Sequence, residues 1–517
     1  MPDHNADHNL ARQAERQLAA IGDGDSLFFE GKWHTRGGMA DRAARVAAGF
    51  AGHGVAPGDR VVILMANCPE VVISYTALFR AGAVITPLIF LVTVAELAHA
   101  LDSSGAVAVV TTPEFLAKVG AAVRAQVRPS VRFVAVVGDI PADVPPDLTV
   151  VPYAELEANE PGSIVDRADD DLAALLFTGG TTGRSKGVPL THDNLFWCGS
   201  AGHQASDVEG ATTSLVPLPL AHAYGLLVTC IGTHTEEPGK MLLMRWFDPA
   251  GWLDLAATHK ASRAPLVPSM IQMLLAQPLE DYDLSALVSV SSGAAPLPAG
   301  VREQFEKRVP SAQIYEGYGC TESASIISTN PYGRRKVGSV GLPIPGCEVS
   351  IRDDDDRELP VGEDGEICAR SPGIMSGYWQ APDATAVTVI DGWLHTGDIG
   401  HVDGDGYLYV VDRKKDLIIR GGFNVYPRDI EDVLVTHPAV AMAAAVGRPD
   451  DRLGEEVVAF VSLRPDAQAT EDELVAYAKE HIAASKYPRQ VRVVDQVPLT
   501  SVGKLDRKKL RQLVREG

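Results

Sequence analysis

Apolar positions along the chain follow two alternating rhythms. Residues 41–54 (DRAARVAAGFAGHG) and 72–83 (VISYTALFRAGA) repeat hydrophobic side chains at helical spacing, whereas 60–66 (RVVILMA), 106–112 (AVAVVTT) and 131–138 (VRFVAVVG) are short apolar runs. The former predict helices, the first stopped by Gly54, and the latter predict buried strands. Strands alternating with helices predict a mainly parallel α/β sheet. The first dozen residues carry no such pattern and are expected to fray. From residue 365 the rhythm shortens. The segments 365–370 (GEICAR), 392–402 (GWLHTGDIGHV) and 407–412 (YLYVVD) predict consecutive antiparallel strands with tight turns. Beyond the charged segment Asp412–Asp416 a compact βα pattern begins: a strand at 416–420, Gly421-Gly422, a helix at 427–437, two further strands and a helix at 471–482. This predicts a large domain over 1–412 and a small one over 413–517. No repeat with a fixed period is present.

Two acidic tracts invite a metal reading. Asp353–Asp356 lies between the strand-like CEVSI and the turn-like ELPVGEDGE, which predicts a solvated hairpin tip. Residues 403–406 (DGDG) lack the later ligands of an EF-hand loop and predict a turn.

The length of 517 residues corresponds to roughly three domains' worth of chain. Hydrophobic residues make up 46% and charged residues 22%, with mean hydropathy +0.02, as in soluble globular proteins. A net charge of −21 argues against general nucleic-acid binding, though it leaves room for a local basic pocket. The six cysteines show no CxxC pair, which predicts buried thiols in a reducing compartment. The start is polar and resembles no secretory signal. The longest apolar run, Ala81 to Val94, is interrupted by Pro87 and is too short to span a bilayer, so it predicts a buried segment. A soluble cytoplasmic protein with no membrane span is the expectation.

The strongest chemical signal follows the apolar residues Leu175-Leu176-Phe177. There the chain reads Thr178-Gly179-Gly180-Thr181-Thr182-Gly183-Arg184-Ser185-Lys186-Gly187. Glycines let backbone N–H groups converge on phosphate oxygens, threonine hydroxyls add donors, and Lys186 adds positive charge. The order of residues differs from a Walker A loop, where Lys precedes Ser or Thr. A polar turn between strand and helix is the alternative.

TGGTTGRSKG resembles the phosphate loop of the adenylate-forming family: acyl-CoA synthetases, adenylation domains and luciferases. Four further blocks match that family in order: Tyr318-Gly319-Cys320-Thr321-Glu322, Trp393–Asp398 (WLHTGD), Asp412–Asp416 (DRKKD) and Pro498–Lys504 (PLTSVGK). The resemblance spans essentially the whole chain and is closest to acyl-CoA synthetases. It implies an α/β fold with a large N-terminal domain of two α/β lobes, a small β subdomain near 340–412, and a mobile α+β C-terminal domain hinged near Lys415.

Carboxylates are poor electrophiles, and this family activates them as acyl-adenylates from ATP with loss of pyrophosphate. Two anions must approach, so charge neutralisation and positioning dominate the task. By resemblance, Thr178, Gly179, Gly180, Thr181, Thr182, Gly183 and Lys186 embrace the β- and γ-phosphates. Thr321 holds the α-phosphate and Glu322 binds Mg²⁺. Gly293, Ala294 and Ala295 with Glu316, Gly317 and Tyr318 form the adenine slot, Asp398 accepts the ribose hydroxyls, and Arg413 assists. Lys504 contacts the carboxylate and the α-phosphate during adenylation. After adenylation the family's small domain rotates and opens a pantetheine channel, lined here by Gly421, Gly422 and Phe423.

The segment Leu218–Leu226 resembles the wall of the carboxylic-acid pocket, with His222 near its entrance and Tyr224, Gly225, Pro268 and Gly319 around it. In amino-acid-activating relatives this region carries an Asp that pairs with the substrate ammonium. Here Ala221-His222 occupies that stretch, which favours an acid without an α-amino group. HAYG resembles aryl-acid ligases and EGYG fatty acyl ones, so chain length stays open. The expected activity is transfer of a fatty or aryl acid to coenzyme A. The alternatives are loading of the phosphopantetheine of an acyl carrier protein, and a nucleotide-binding regulatory protein without turnover. Oligomeric state is not legible.

Overall fold

The computed structural model describes residues 7–142, 144, 148–178, 185–450, 452–484, 486–499 and 505–516. The chain divides into two compact units, one of residues 1–297, 301–348 and 369–394, the other of residues 298–300, 349–368 and 395–517.

The first unit contains two large sheets. In the 7-stranded sheet the order is Val150–Pro152, Phe133–Val136, Ala108–Thr111, Arg60–Leu64, Val84–Pro87, Leu172–Thr178 and Lys186–Thr191. All neighbours are parallel except the last pair, in which Thr178 lies opposite Lys186. Covering helices bury both faces of the parallel strands, which is why 61–64 and 108–110 read as unbroken apolar runs. The helices Pro69–Arg80 and Pro113–Arg124 each begin with proline, whose missing N–H costs nothing there, and carry Glu70 or Glu114 in the first turn. Thr93 and Glu96 close a capping box on Val94–Ser104.

The 9-stranded sheet runs Leu342–Pro343, Ser328–Thr329, Gln313–Tyr318, Ser289–Ser292, Arg263–Leu266, Thr213–Val216, Lys240–Leu243, Asp25–Phe29 and Lys32–Thr35. From Gln313–Tyr318 through Asp25–Phe29 its strands are parallel. Trp252, Leu266, Ile271 and Phe305 fill its core.

Two expectations are corrected here. The chain start does not fray from residue 7 onward: His8 stacks on Phe196 with centroids 4.1 Å apart and reaches Asp193 at 2.7 Å. Asn9, fully buried, caps the helix Leu10–Ile21. The apolar run 81–94 is buried only as far as Leu88, after which it surfaces, with Leu91 49% exposed.

In the second unit residues 398–402 of the strand Trp393–Val402 pair antiparallel with Leu408–Arg413 across the 403–406 turn. The Asp353–Asp356 tract is a hairpin tip, closed by the Arg352–Glu358 bridge, and Arg352 pairs with Asp356 at 2.9 Å. A separate sheet is built on the long antiparallel pair Val440–Asp450 and Gly454–Leu463. The helix Pro427–Val435 packs on it through Ile430 and Leu434. The basic tail is a helix, Arg507–Glu516, which docks Leu510 and Val514 on Val446, Val458 and Phe460. Arg507, nearly buried, pairs bidentately with Glu431. Among the described residues, no helix is long and apolar enough to cross a membrane.

Candidate active site

The glycine-rich segment joins two antiparallel strands, and the helix His192–Ser206 follows the second of them. Gly179, Gly180, Thr181, Thr182 and Gly183 of that segment lie outside the described residues, as does Lys504. Lys186 opens the second strand, and its Nζ sits 4.7 Å from the ring centroid of Tyr378. Tyr378 Oη donates to Glu322 Oε1 at 2.6 Å. Burial first, and the adjacent negative Glu322 second, push the Tyr378 phenol well above its ordinary pKa, so the hydroxyl stays a donor at neutral pH. One side chain therefore touches both the expected phosphate cation and the expected metal carboxylate.

Glu322 rides on the 3-10 turn Thr321–Ser323. Ser323 Oγ accepts from the Cys320 N–H at 3.1 Å, and the Met375 N–H donates to the Glu322 carbonyl at 2.9 Å. The chain then folds back sharply: Ala324 and Ser325 have φ of 46° and 86°. A side chain at Gly319 would meet the Ser325 carbonyl oxygen at 2.2 Å, so this turn requires glycine there.

A second group converges at the ends of the parallel strands. Ser292 and Glu316 are register partners on adjacent strands, and Gly317 continues from Glu316. A Cβ at Gly293 would lie 3.3 Å from the Gly317 carbonyl and 3.8 Å from the Tyr224 ring. Ala294 and Ala295 are exposed beside them, Ala294 with φ of 68°. The Tyr224 hydroxyl donates to Ser291, 3.0 Å from its Oγ, and burial pushes the phenol up to about 12. His222 caps the helix Ala223–Gly232, its Nδ1 accepting the Tyr224 N–H at 3.2 Å, so Nδ1 is the unprotonated ring nitrogen. Pro268 begins the buried end of the helix Pro268–Leu275, beside Val267 and Met270, which pack on the same core as Tyr224. The residues expected to form the adenine slot and those expected to form the acid pocket thus meet at Gly293 and Tyr224.

In the second unit Asp398 and Arg413 face each other across the strand pair, Arg413 Nε 3.3 Å from Asp398 Oδ1. Gly397, the residue before Asp398 in that strand, takes φ of 71°, and its N–H donates to Glu366 at 3.0 Å. Lys415 lies in the turn Lys414–Asp416, where burial, then the neighbouring Arg413, lower its pKa. Gly421 and Gly422, with φ of 58° and 83°, form the two-residue turn of the hairpin Ile418–Arg420/Phe423–Val425. Phe423 is 63% exposed at its tip, whereas Arg420 turns inward to pair with Glu456 at 2.6 Å.

Tyr378 and Glu366 escaped sequence reasoning. Tyr378 meets Glu322, 56 positions away, and lies in none of the matching blocks, whereas Glu366, inside the predicted strand 365–370, was read only as part of that strand and meets the Gly397 N–H, 31 positions away. Among the described residues no cluster of three or more His, Cys, Asp or Glu side chains could hold a metal ion.

Residues 9–379 match the AMP-binding enzyme family, and residues 429–504 match the AMP-binding enzyme C-terminal domain. The chain is 34% identical to a long-chain-fatty-acid–CoA ligase of Bacillus subtilis (strain 168), over 95% of this chain and 92% of that one. It is 36% identical to a feruloyl-CoA synthase of an Amycolatopsis species, over 92% of each chain. In three dimensions it is similar to the anthranilate CoA ligase AuaEII in complex with anthranoyl-AMP, with a TM-score of 0.90 and 25% identity over 99% of this chain and 98% of that one.

Proposed function

The chain belongs to the AMP-binding enzyme family, and from that membership we propose that it is an AMP-forming acyl-CoA synthetase, an ATP-dependent acid–thiol ligase acting on a fatty or aryl carboxylic acid. In the first step a carboxylate oxygen attacks the α-phosphorus of ATP in line and the bond to pyrophosphate breaks, leaving acyl-AMP. In the second the sulfur of coenzyme A attacks the acyl carbon and AMP departs. The observation that carries this reading is the convergence of Lys186 and Glu322 on Tyr378. It brings an ammonium and a carboxylate to one tyrosine, with the ammonium at the start of the strand that follows the glycine-rich segment in sequence, as handling of a polyphosphate requires.

The donor set suits Mg²⁺ brought in by the nucleotide. Glu322 offers one carboxylate whose Oε2 has no hydrogen bond or ion pair among the described residues. Mg²⁺ is commonly held by one or two carboxylates together with substrate phosphates. When bound, the ion would neutralise phosphate charge. Thr321 would donate to the α-phosphate, and Lys186 with residues 178–183 would hold the β- and γ-phosphates. Gly293, Ala294, Ala295, Glu316, Gly317 and Tyr318 would admit the flat base. Asp398 would accept the ribose hydroxyls, with Arg413 orienting its carboxylate. Lys504 would supply the charge that steadies the attacking carboxylate. For the second step Lys415 serves as hinge, and Gly421, Gly422 and Phe423 line the thiol's path.

His222, Tyr224, Gly225, Pro268 and Gly319 shape the acid pocket. The stretch 221–222 carries no acidic side chain, which matches an acid without an α-amino group. Fatty and aryl acids both remain in scope, since the relatives include ligases named for each. Coenzyme A is favoured over an acyl carrier protein because only about twenty residues separate Tyr318 from Gly338, where carrier-loading fatty acyl-AMP ligases carry an insertion. Six free cysteines, Cys68, Cys198, Cys230 and Cys368 among them buried, fit the cytoplasm.

Pyrophosphate release measured with short, medium and long fatty acids, benzoates and cinnamates, each with and without coenzyme A, tests the reading. Multiple turnovers with one acid and coenzyme A support it. Release that halts near one equivalent and is restarted only by a phosphopantetheinyl carrier protein replaces the acceptor. Absence of release with every acid overturns the assignment.

A further inference from the structure

Tyr378 belongs to none of the matching blocks, yet the backbone around it is held on both sides. Its N–H donates to Thr385 Oγ1 at 2.9 Å, and the next residue, Trp379, donates its N–H to the Gly187 carbonyl at 2.8 Å and its indole N–H to the Ser103 carbonyl at 3.0 Å. Gly377 is packed so tightly that a Cβ would meet Thr385 Cγ2 at 2.4 Å. The side chain is therefore aimed before any ligand arrives.

What it is aimed at is unusual. The hydroxyl holds one oxygen of Glu322 at 2.6 Å, and the ring lies 4.7 Å from the Lys186 ammonium. Among the described residues Lys186 has no carboxylate partner, and no ion pair joins it to Glu322. An ammonium and a carboxylate this near a common side chain would ordinarily pair, spending the charges a nucleotide needs. The tyrosine gives each a separate contact: a hydroxyl for the anion, an aromatic face for the cation.

We propose that Tyr378 is a positioning residue for nucleotide binding, whose hydroxyl orients Glu322 toward the nucleotide-borne metal and whose ring keeps the Lys186 ammonium available to the phosphates. This rests on reading the site as one for Mg²⁺ and ATP. The two contacts are chemically separable, so Tyr378→Phe removes only the hydroxyl and Tyr378→Leu removes both.

Calorimetric titration of the full chain with α,β-methylene-ATP, in Mg²⁺ and again in EDTA, tests it. Loss of a hydrogen-bond partner behind a metal ligand typically costs 10–100-fold in metal affinity, so Tyr378→Phe should lose roughly tenfold or more of the Mg²⁺ enhancement while binding as wild type in EDTA. Tyr378→Leu should also bind a few-fold more weakly in EDTA, about the worth of a cation–π contact. A purely structural role would weaken binding equally in both buffers, and that outcome overturns the proposal, as does a Tyr378→Phe variant with its full Mg²⁺ enhancement. If Tyr378→Leu does not fold, the Tyr378→Phe result decides alone. If wild type binds the analogue in neither buffer, the reading of the site falls and the proposal with it. Wild-type binding with unchanged variants sinks the proposal alone.

Discussion

Replacing Gly225 by alanine tests whether the helix Ala223–Gly232 is seated as closely as its glycine allows. A Cβ there would lie 2.2 Å from the Pro219 carbonyl oxygen and 2.7 Å from Leu220 Cα, against 3.4 Å or more in ordinary contact. Both obstacles are backbone, so neither can swing aside. The helix must retreat by about 1 Å, and such overpacking costs about 1–3 kcal/mol. The retreat carries Tyr224, one residue earlier, away from Ser291, whose Oγ it reaches at 3.0 Å. Breaking that bond adds about 1 kcal/mol, for a total of about 2–4 kcal/mol. If Tyr224 lines the acid pocket, a misplacement of about 1 Å can also lower kcat/KM for the acid by about 10²-fold, with a smaller change in KM for ATP. Urea denaturation followed by near-ultraviolet circular dichroism reads the first effect, and pyrophosphate release at varied acid and ATP reads the second. Gly300→Ala is the control: nothing lies within 4 Å of its Cβ, and it sits in the helix Ala299–Arg308. It should be neutral or stabilise by up to about 1 kcal/mol. A Gly225→Ala protein that unfolds with wild type would refute the packing argument. One that is destabilised but keeps wild-type kinetics with the acid would refute the place given to Tyr224.

Three further outcomes are expected. His192 is fully buried, its Nδ1 accepts the Leu10 N–H at 3.3 Å, and burial, aided by the charge of Arg167, pulls its pKa down to about 4 from 6.5. Between those values the unfolded chain binds a proton that the folded chain refuses, so stability falls as pH falls through this window, by on the order of 3 kcal/mol. Urea midpoints taken from pH 7.5 to 4.5 should show that slope, and His192→Asn should flatten it measurably; an unaltered slope contradicts the argument. Phe423→Ala, at a side chain 63% exposed, should shift stability by no more than about 0.5 kcal/mol. It should slow thioester formation from supplied acyl-adenylate more than pyrophosphate release, and equal slowing removes Phe423 from the thiol's path. Lys504→Ala should lose about 10²–10³ in adenylation rate yet keep substantial thioester formation from supplied acyl-adenylate, and parallel loss of both half-reactions counts against its role.

What the sequence reveals and what it hides divide along a physical line. Residues 61–64 and 108–110 were legible as strand because helices cover both faces and leave only apolar choices. Gly421-Gly422 was legible only as a break after the strand at 416–420, since glycine takes the positive φ cheaply; the strand Phe423–Val425 that makes it a hairpin left no signal. Burial through distant partners left no local trace. His8 and Asn9 read as a polar, fraying start, yet their partners Asp193, Phe196 and Val165 lie more than 150 positions away. The strand Asp25–Phe29 joins a sheet beside Lys240–Leu243, a pairing no periodicity encodes. Pattern likewise could not separate buried Leu88 from exposed Leu91 within one apolar run.

The candidate site shows the same division in sharper form. Its glycines and charged residues were named from motif resemblance, but the conformations that make them useful break local rules. Ala294, Ala324 and Ser325 all hold positive φ without being glycine, at a cost of about 1–3 kcal/mol each. Ala294 follows Gly293, whose Cβ position faces the Tyr224 ring, while Ala324 and Ser325 fold the chain back over Gly319 two residues after Glu322. No propensity favours such turns, so the packing around them must impose them. Tyr378 belongs to the same class: its value lies in two contacts, to Glu322 and Lys186, that exist only once strand, turn and loop are assembled. Residues that carry charge to a ligand can be read from sequence because chemistry restricts their type. Residues that hold those charges in place are restricted only by geometry, and they come into view when the chain is folded.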